Sequence, residues 1–192
     1  MLQLIWIIYG ILQMASTVQD STFHTSQVEH FVKCIKDILH KYIIPGQSIV
    51  VSIFEQDYNI TSQHTLDYVS NHDNQIQFYD FMIKNIHESI SWLLQVSCSD
   101  NDHLNMQEEV RKIACYVILT WAWKTEVDLI ESIPYQIPEL AISQYWNNRA
   151  LFIVAIIGEL NKDSEKMIRN ILDILWKNHK IFNILIIHCI FS

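Results

Sequence analysis

The chain has 192 residues, enough for one domain with a sizeable core and short for two. Half of the residues are hydrophobic, 18% are charged, and Gly and Pro number three each, which excludes a disordered segment, a linker and a fibrous repeat. The formal charge is −8, from 13 Lys and Arg against 21 Asp and Glu, and no basic cluster exceeds a pair, so nucleic acid is not an expected partner.

The first segment, Leu2–Leu12 (LQLIWIIYGIL), is uncharged and is followed by Gln13, Met14, Ala15 and Ser16. A run of about 11 apolar residues is too short for a bilayer, which takes about 20. It has the length of a signal-peptide hydrophobic region, with cleavage near Ala15 or Ser16. No Lys or Arg precedes it and the −3 position is large at either site, so a buried first strand is the rival reading. The signal-peptide reading removes residues 1–16 and leaves 17–192 as an extracellular domain with the whole charge of −8.

Helix 26–43 is predicted next. Val28, Phe31, Val32, Ile35, Ile38, Leu39 and Tyr42 recur at three- and four-residue steps, and Glu29, Lys33, Lys36, Asp37, His40 and Lys41 take the other face. Ser26 and Glu29 have capping-box spacing, and Pro45-Gly46 ends the element. The β-branched run Gln47–Phe54 (QSIVVSIF) is a strand. Residues 55–76 are polar and read as a long loop, which holds the sequon Asn59-Ile60-Thr61, so Asn59 is the expected glycosylation site.

A second helix is expected over 77–95, on Phe78, Phe81, Met82, Ile86, Ile90, Leu93 and Leu94, followed by a polar loop over Ser97–Gln107. Ile113–Trp123 (IACYVILTWAW) is a continuous apolar strand. Pro134 and Pro138 break the region after it, leaving only a short helix near 139–146. Ala150–Ile157 (ALFIVAII) is a strand, 163–179 a helix capped by Asp163 with Met167, Ile168, Ile171, Leu172 and Leu175 on one side, and Ile181–Phe191 the last strand. The later strands are apolar throughout, so both their faces should be covered, and connections that contain helices favour parallel pairing. The expected class is α/β: a mainly parallel sheet covered by helices, in a single domain. Strand order is left open.

Chemistry-bearing patterns are few. With three Gly, neither a dinucleotide fingerprint nor a P-loop is present, and GxSxG is absent. His87-Glu88 lacks the second His of a zincin helix, and the nine His are scattered. Asp100, Asp102 and His103 read as a solvated acidic loop before a cation site, and Glu55 and Asp57 follow the first strand's carboxyl end, where open α/β sheets place ligands. Cys34, Cys98, Cys115 and Cys189 have no CxxC or zinc spacing. An oxidising compartment would allow one or two disulfides, with the pairing left open, and Cys115 and Cys189, inside apolar runs, read as buried thiols. Trp92, Trp121, Trp123 and Trp176 are expected to pack in the core or at an interface, with Trp146, beside Asn147 and Asn148, the one most open to solvent. No catalytic residue, cofactor or metal is expected, and the chain is not expected to be an enzyme.

The helix EHFVKCIKDILHKYIIPG (Glu29–Gly46) leading into QSIVVSIF resembles the start of the extracellular N-terminal region of divergent insect ionotropic receptors, chemosensory relatives of the ionotropic glutamate receptors. NRALFIVAI (Asn148–Ile156) resembles that family's Arg-then-apolar strand. ILDILWKNHKIFNILII (Ile171–Ile187) resembles its Leu-Trp helix ending and the Asn-then-apolar strand after it. These blocks lie in the family's order, and residues 55–110 match in character only. The resemblance implies a membrane receptor of sensory neurons whose ligand-binding domain and pore lie beyond Ser192. It implies partners among other receptor subunits, an unspecified ligand, and membrane attachment only through those further parts. The ligand-holding residues of glutamate receptors belong to that other domain, so none is transferred here. The alternatives are a free secreted α/β protein that binds a small molecule or a protein, and, behind it, a hydrolase-like enzyme with a dispersed site.

Overall fold

The structure, a computed structural model, describes residues 10–12, 25–53, 77–88, 93–98, 112–121, 126–158 and 164–189. In chain order the elements are β1 (Gly10–Leu12), α1 (Thr25–Tyr42), β2 (Ser48–Ile53), α2 (77–88), β3 (Leu93–Cys98), β4 (Ile113–Trp121), α3 (Glu126–Ile142), β5 (Leu151–Ile157), α4 (Ser164–Asp173) and β6 (Ile184–Cys189). A π turn, Ile174–Asn178, extends α4.

The strands form one sheet in the order β1-β6-β5-β4-β2-β3, and every pairing is parallel. The helix-covered parallel α/β domain expected from the sequence is what forms. Within it the chain divides into two compact units, one built on the sheet with α3 and α4, the other on α1 and α2.

In the sheet unit, all six residues of β2 and the last six of β5 are buried, as continuous apolar runs require when both faces are covered. On one face Val50, Tyr116, Ile118, Phe152, Val154 and Ile156 form a cluster with Ile133, Ile137 and Leu140 of α3 and with Met167, Ile171 and Leu175 of α4 and its π turn. Burying each such side chain contributes about 1.5–3 kcal/mol before entropy is counted. The alternate residues, Ile49, Val51, Val117, Leu119, Ile153 and Ala155, point to the other face and are fully buried as well.

Two elements correct the sequence reading. The short helix expected near 139–146 is instead the 17-residue α3, which runs straight through Pro134 and Pro138. Ile133, Ile137 and Leu140 are buried, while Pro138 is exposed and Pro134 only partly covered, so the prolines avoid the packed face. Each proline removes one helical N–H, and packing of the opposite face offsets that loss. The helix expected over 77–95 is described over 77–88, and Leu93–Cys98 form β3 instead. Ile86, Ile90, Leu93 and Leu94 keep a helical step into the strand, which hides the change of state. Pairing with β2, from Ser48↔Leu93 to Ile53↔Cys98, makes this segment an edge strand.

In the other unit, α1 buries Val28, Phe31, Val32, Ile35 and Leu39, and α2 buries Phe78, Tyr79, Met82 and Ile86. The Phe31 and Phe78 rings meet with centroids 5.8 Å apart. Tyr42, expected on the buried face, is exposed with Lys41 Nζ 5.3 Å above its ring. In the sheet, Gly10–Leu12 pairs with Ile187–Cys189 of β6 at the edge. Removal of residues 1–16 would take this strand with it. Asp163, the expected cap of α4, lies outside the described residues.

Candidate functional site

After β2 the chain goes to β3 on one side, and after β4 it goes to β5 on the other. The strand order β3-β2-β4-β5-β6 is therefore that of a doubly wound sheet with its reversal between β2 and β4, and such sheets take ligands outside the carboxyl ends of the strands at the reversal. Here those ends are Ile53 and Trp121.

Just inside them lies a polar clasp. Ser52 Oγ on β2 donates to Gln136 Oε1 on α3 at 2.8 Å, and Gln136 Nε2 donates to the Leu119 carbonyl of β4 at 3.4 Å. The Thr120 and Ser132 hydroxyls share a hydrogen bond of 2.6 Å between β4 and α3. All four side chains are buried. Ser132 and Gln136 are one helical turn apart, so they face the sheet together, among the apolar Ile133, Ile137 and Leu140. A buried amide or hydroxyl without a partner is costly, so this arrangement holds α3 in one register on β2 and β4. The Ser52 hydroxyl of β2 and the Thr120 hydroxyl of β4 each meet a neutral group, Gln136 and Ser132. These bonds position α3, which follows β4, beside the reversal.

The amino ends of the strands hold a second cluster. Tyr116 stacks on Phe152 with centroids 4.7 Å apart, and Trp146 meets Tyr116 at 5.2 Å and Phe152 at 5.5 Å. Asn147 ties it together: its N–H donates to Tyr116 Oη at 3.1 Å, its Nδ2 to the Ile113 carbonyl at 2.7 Å, and its Oδ1 accepts from the Arg149 N–H at 3.2 Å. Burial pushes the Tyr116 phenol up to about 12, and the Asn147 N–H works against that shift. Trp146, expected to be the most open to solvent, is thus half-buried, and Trp176, expected in the core or at an interface, is exposed in this chain. The reason is local: Asn147 turns the chain into Tyr116 and Phe152, whereas Trp176 rides on the outside of the π turn.

No protein-family model, curated protein or solved structure matches this chain.

Of the residues singled out from the sequence, Glu55, Asp57, Asn59, Asp100, Asp102 and His103 lie outside the described residues. Cys115 is a free, fully buried thiol whose pKa is raised by burial, and Cys34 is free and half-buried. Among the described residues no three of His, Cys, Asp and Glu gather as metal ligands. The clasp was missed in the sequence because single Ser, Thr and Gln residues inside apolar runs look like noise. The available signal was the four-residue spacing of Ser132 and Gln136 on the face that also carries Ile133, Ile137 and Leu140.

Proposed function

We propose that the chain is the extracellular N-terminal region of an insect ionotropic-receptor-like chemosensory protein, serving receptor assembly or ligand-facing recognition without channel activity of its own. The resemblance of Glu29–Phe54, Asn148–Ile156 and Ile171–Ile187 to that region carries the reading. The resembling blocks fall on α1 with β2, on β5, and on the end of α4 with most of β6. A helix-covered parallel sheet with a reversal between β2 and β4 suits a recognition role. No helix of the described residues is long and apolar enough to cross a membrane, and the reading assigns membrane attachment and the pore to parts outside this sequence. It further assigns residues 1–16 to a signal peptide, a glycan to Asn59, and other receptor subunits as partners.

The reversal between β2 and β4 also favours a second reading, a secreted α/β protein that holds a small molecule there. Sequencing full-length transcripts across the codon for Ser192 separates the two. The receptor reading expects an open frame into a two-lobed domain and pore helices; a stop codon at that point in every transcript overturns it in favour of the secreted protein.

A further inference from the structure

Strand β6 is fully paired on one side and partly covered on the other. All six residues, Ile184–Cys189, pair with β5, whereas among the described residues Gly10–Leu12 of β1 meet Ile187, His188 and Cys189 alone. Burial follows that cover: Ile187 is 8% exposed, while Ile184, Leu185 and Ile186 are only partly buried. An edge strand turns alternate N–H and C=O groups outward, and natural edges are blunted by charge, proline or a bulge. β6 (ILIIHC) has no Lys, Glu or Pro, and its register with β5 runs without a shift from Phe152↔Ile184 to Ile157↔Cys189. Its polar ring, His188, is engaged by the Gly158 carbonyl at 2.7 Å. The edge is thus flat and aliphatic, and its cover is shorter than itself.

We propose that the outer edge of β6 is an acceptor site for an extended, uncharged, aliphatic segment of a partner protein, running parallel to β6. The segment already seated there shows the chemistry of the occupant: Gly10–Leu12 is uncharged, carries two aliphatic residues and pairs parallel in unbroken register. Its length shows why it can be displaced. A strand of three residues is short beside the about five or six of an ordinary one. A longer segment would pair with Ile184–Ile186 as well and cover their half-buried side chains, adding main-chain bonds and apolar contact together. A charged segment is disfavoured, because a carboxylate or ammonium laid against Ile184 and Ile186 would lose water without gaining a partner. Removal of residues 1–16 takes β1 away and opens the whole edge to such a segment. That opening rests on the signal-peptide reading; the acceptor chemistry does not, and it is tested on the chain with Met1 in place.

The test is fluorescence anisotropy of a dye-labelled peptide copying Trp6–Leu12 (WIIYGIL), with lysines appended for solubility, titrated with the full chain and with its Ile11→Pro variant. Proline has no N–H to give a ladder, so the variant unseats β1 while the acceptor edge stays intact. The variant is expected to bind the peptide at least about tenfold more tightly than the parent, in which the tethered strand competes at high effective concentration. A peptide that itself carries Ile11→Pro is expected to bind at least about tenfold more weakly. The proposal is overturned by no binding to either protein, by equal binding to both, or by equal binding of the proline peptide. Dimerisation of the variant in light scattering, with no peptide bound, would give the edge to a second copy of the chain and likewise overturn it. Should Ile11→Pro lose its thermal unfolding transition, Ile11→Asp, which keeps every N–H, decides by the same comparison. Loss of the transition in both would show that the fold does not survive an open edge, and that too would overturn the proposal.

Discussion

The Ser52 hydroxyl on β2 donates to the Gln136 side-chain carbonyl on α3 at 2.8 Å, joining residues 84 positions apart. Both side chains are buried, so the bond is made away from water and each group depends on the other. Gln136→Leu keeps the bulk but leaves the Ser52 hydroxyl without its acceptor, and is expected to destabilise the fold by about 1–3 kcal/mol in urea unfolding. Adding Ser52→Ala should return part of that loss, with a coupling energy of about 1 kcal/mol in the double-mutant cycle. Strictly additive losses would show that the clasp does not hold α3.

Pro138 lies on the exposed side of α3 and withholds an N–H from the Pro134 carbonyl. Pro138→Ala supplies that donor, while the unfolded chain gains freedom amounting to about 0.4–1 kcal/mol. The expected net effect is stabilisation by about 1–2 kcal/mol, read as a higher denaturant midpoint at unchanged slope. A lower midpoint would mean that the proline shapes the helix in a way alanine does not reproduce.

Behind the π turn, the Lys180 N–H donates to the Trp176 carbonyl and the Ile181 N–H to the Leu175 carbonyl, both at 3.1 Å. This is a helix-ending motif of the Schellman type in which each bond reaches one residue further back, as the wider turn demands. With φ 56 at Lys180, Lys180→Gly should relieve strain and raise stability by about 1 kcal/mol. A lower denaturant midpoint for Lys180→Gly would show that the left-handed residue is not strained.

His188 Nε2 donates to the Gly158 carbonyl at 2.7 Å across β6 and the end of β5. Burial lowers its pKa from the ordinary 6.5, and the bond to Gly158 acts in the opposite sense. The native state thus holds the proton less readily than the unfolded chain. The stability this contributes is fully present above pH 6.5 and is lost as the pH falls from there through the lowered native value. Between pH 7 and pH 5 the parent protein should lose more stability than His188→Gln does. Parallel pH profiles for the two would remove His188 from the account.

Much of this architecture was legible because it is local. The steps of Val28, Phe31, Ile35 and Leu39 mark α1, and the runs SIVVSI, IACYVILTW and LFIVAII mark β2, β4 and β5 without help from the rest of the chain. The failures are where distant residues decide. Leu93–Cys98 is a strand because β2 offers it an edge, and α3 tolerates Pro134 because Ile133 and Ile137 pack against the sheet. Strand order, and with it the reversal between β2 and β4, depends wholly on long-range pairing. The clasp is the extreme case: Ser52, Thr120, Ser132 and Gln136 acquire meaning only once α3 lies across β2 and β4.

The extracellular reading meets its sharpest challenge in β1, since Gly10–Leu12 belong both to the segment read as a signal peptide and to the edge of the sheet. N-terminal sequencing and intact mass of the chain secreted by insect cells test it directly. The account predicts a mature chain that begins near Thr17, lacks β1, and carries a glycan on Asn59 that an amidase removes. An intact Met1 on unglycosylated protein retained in the cytosol would contradict it.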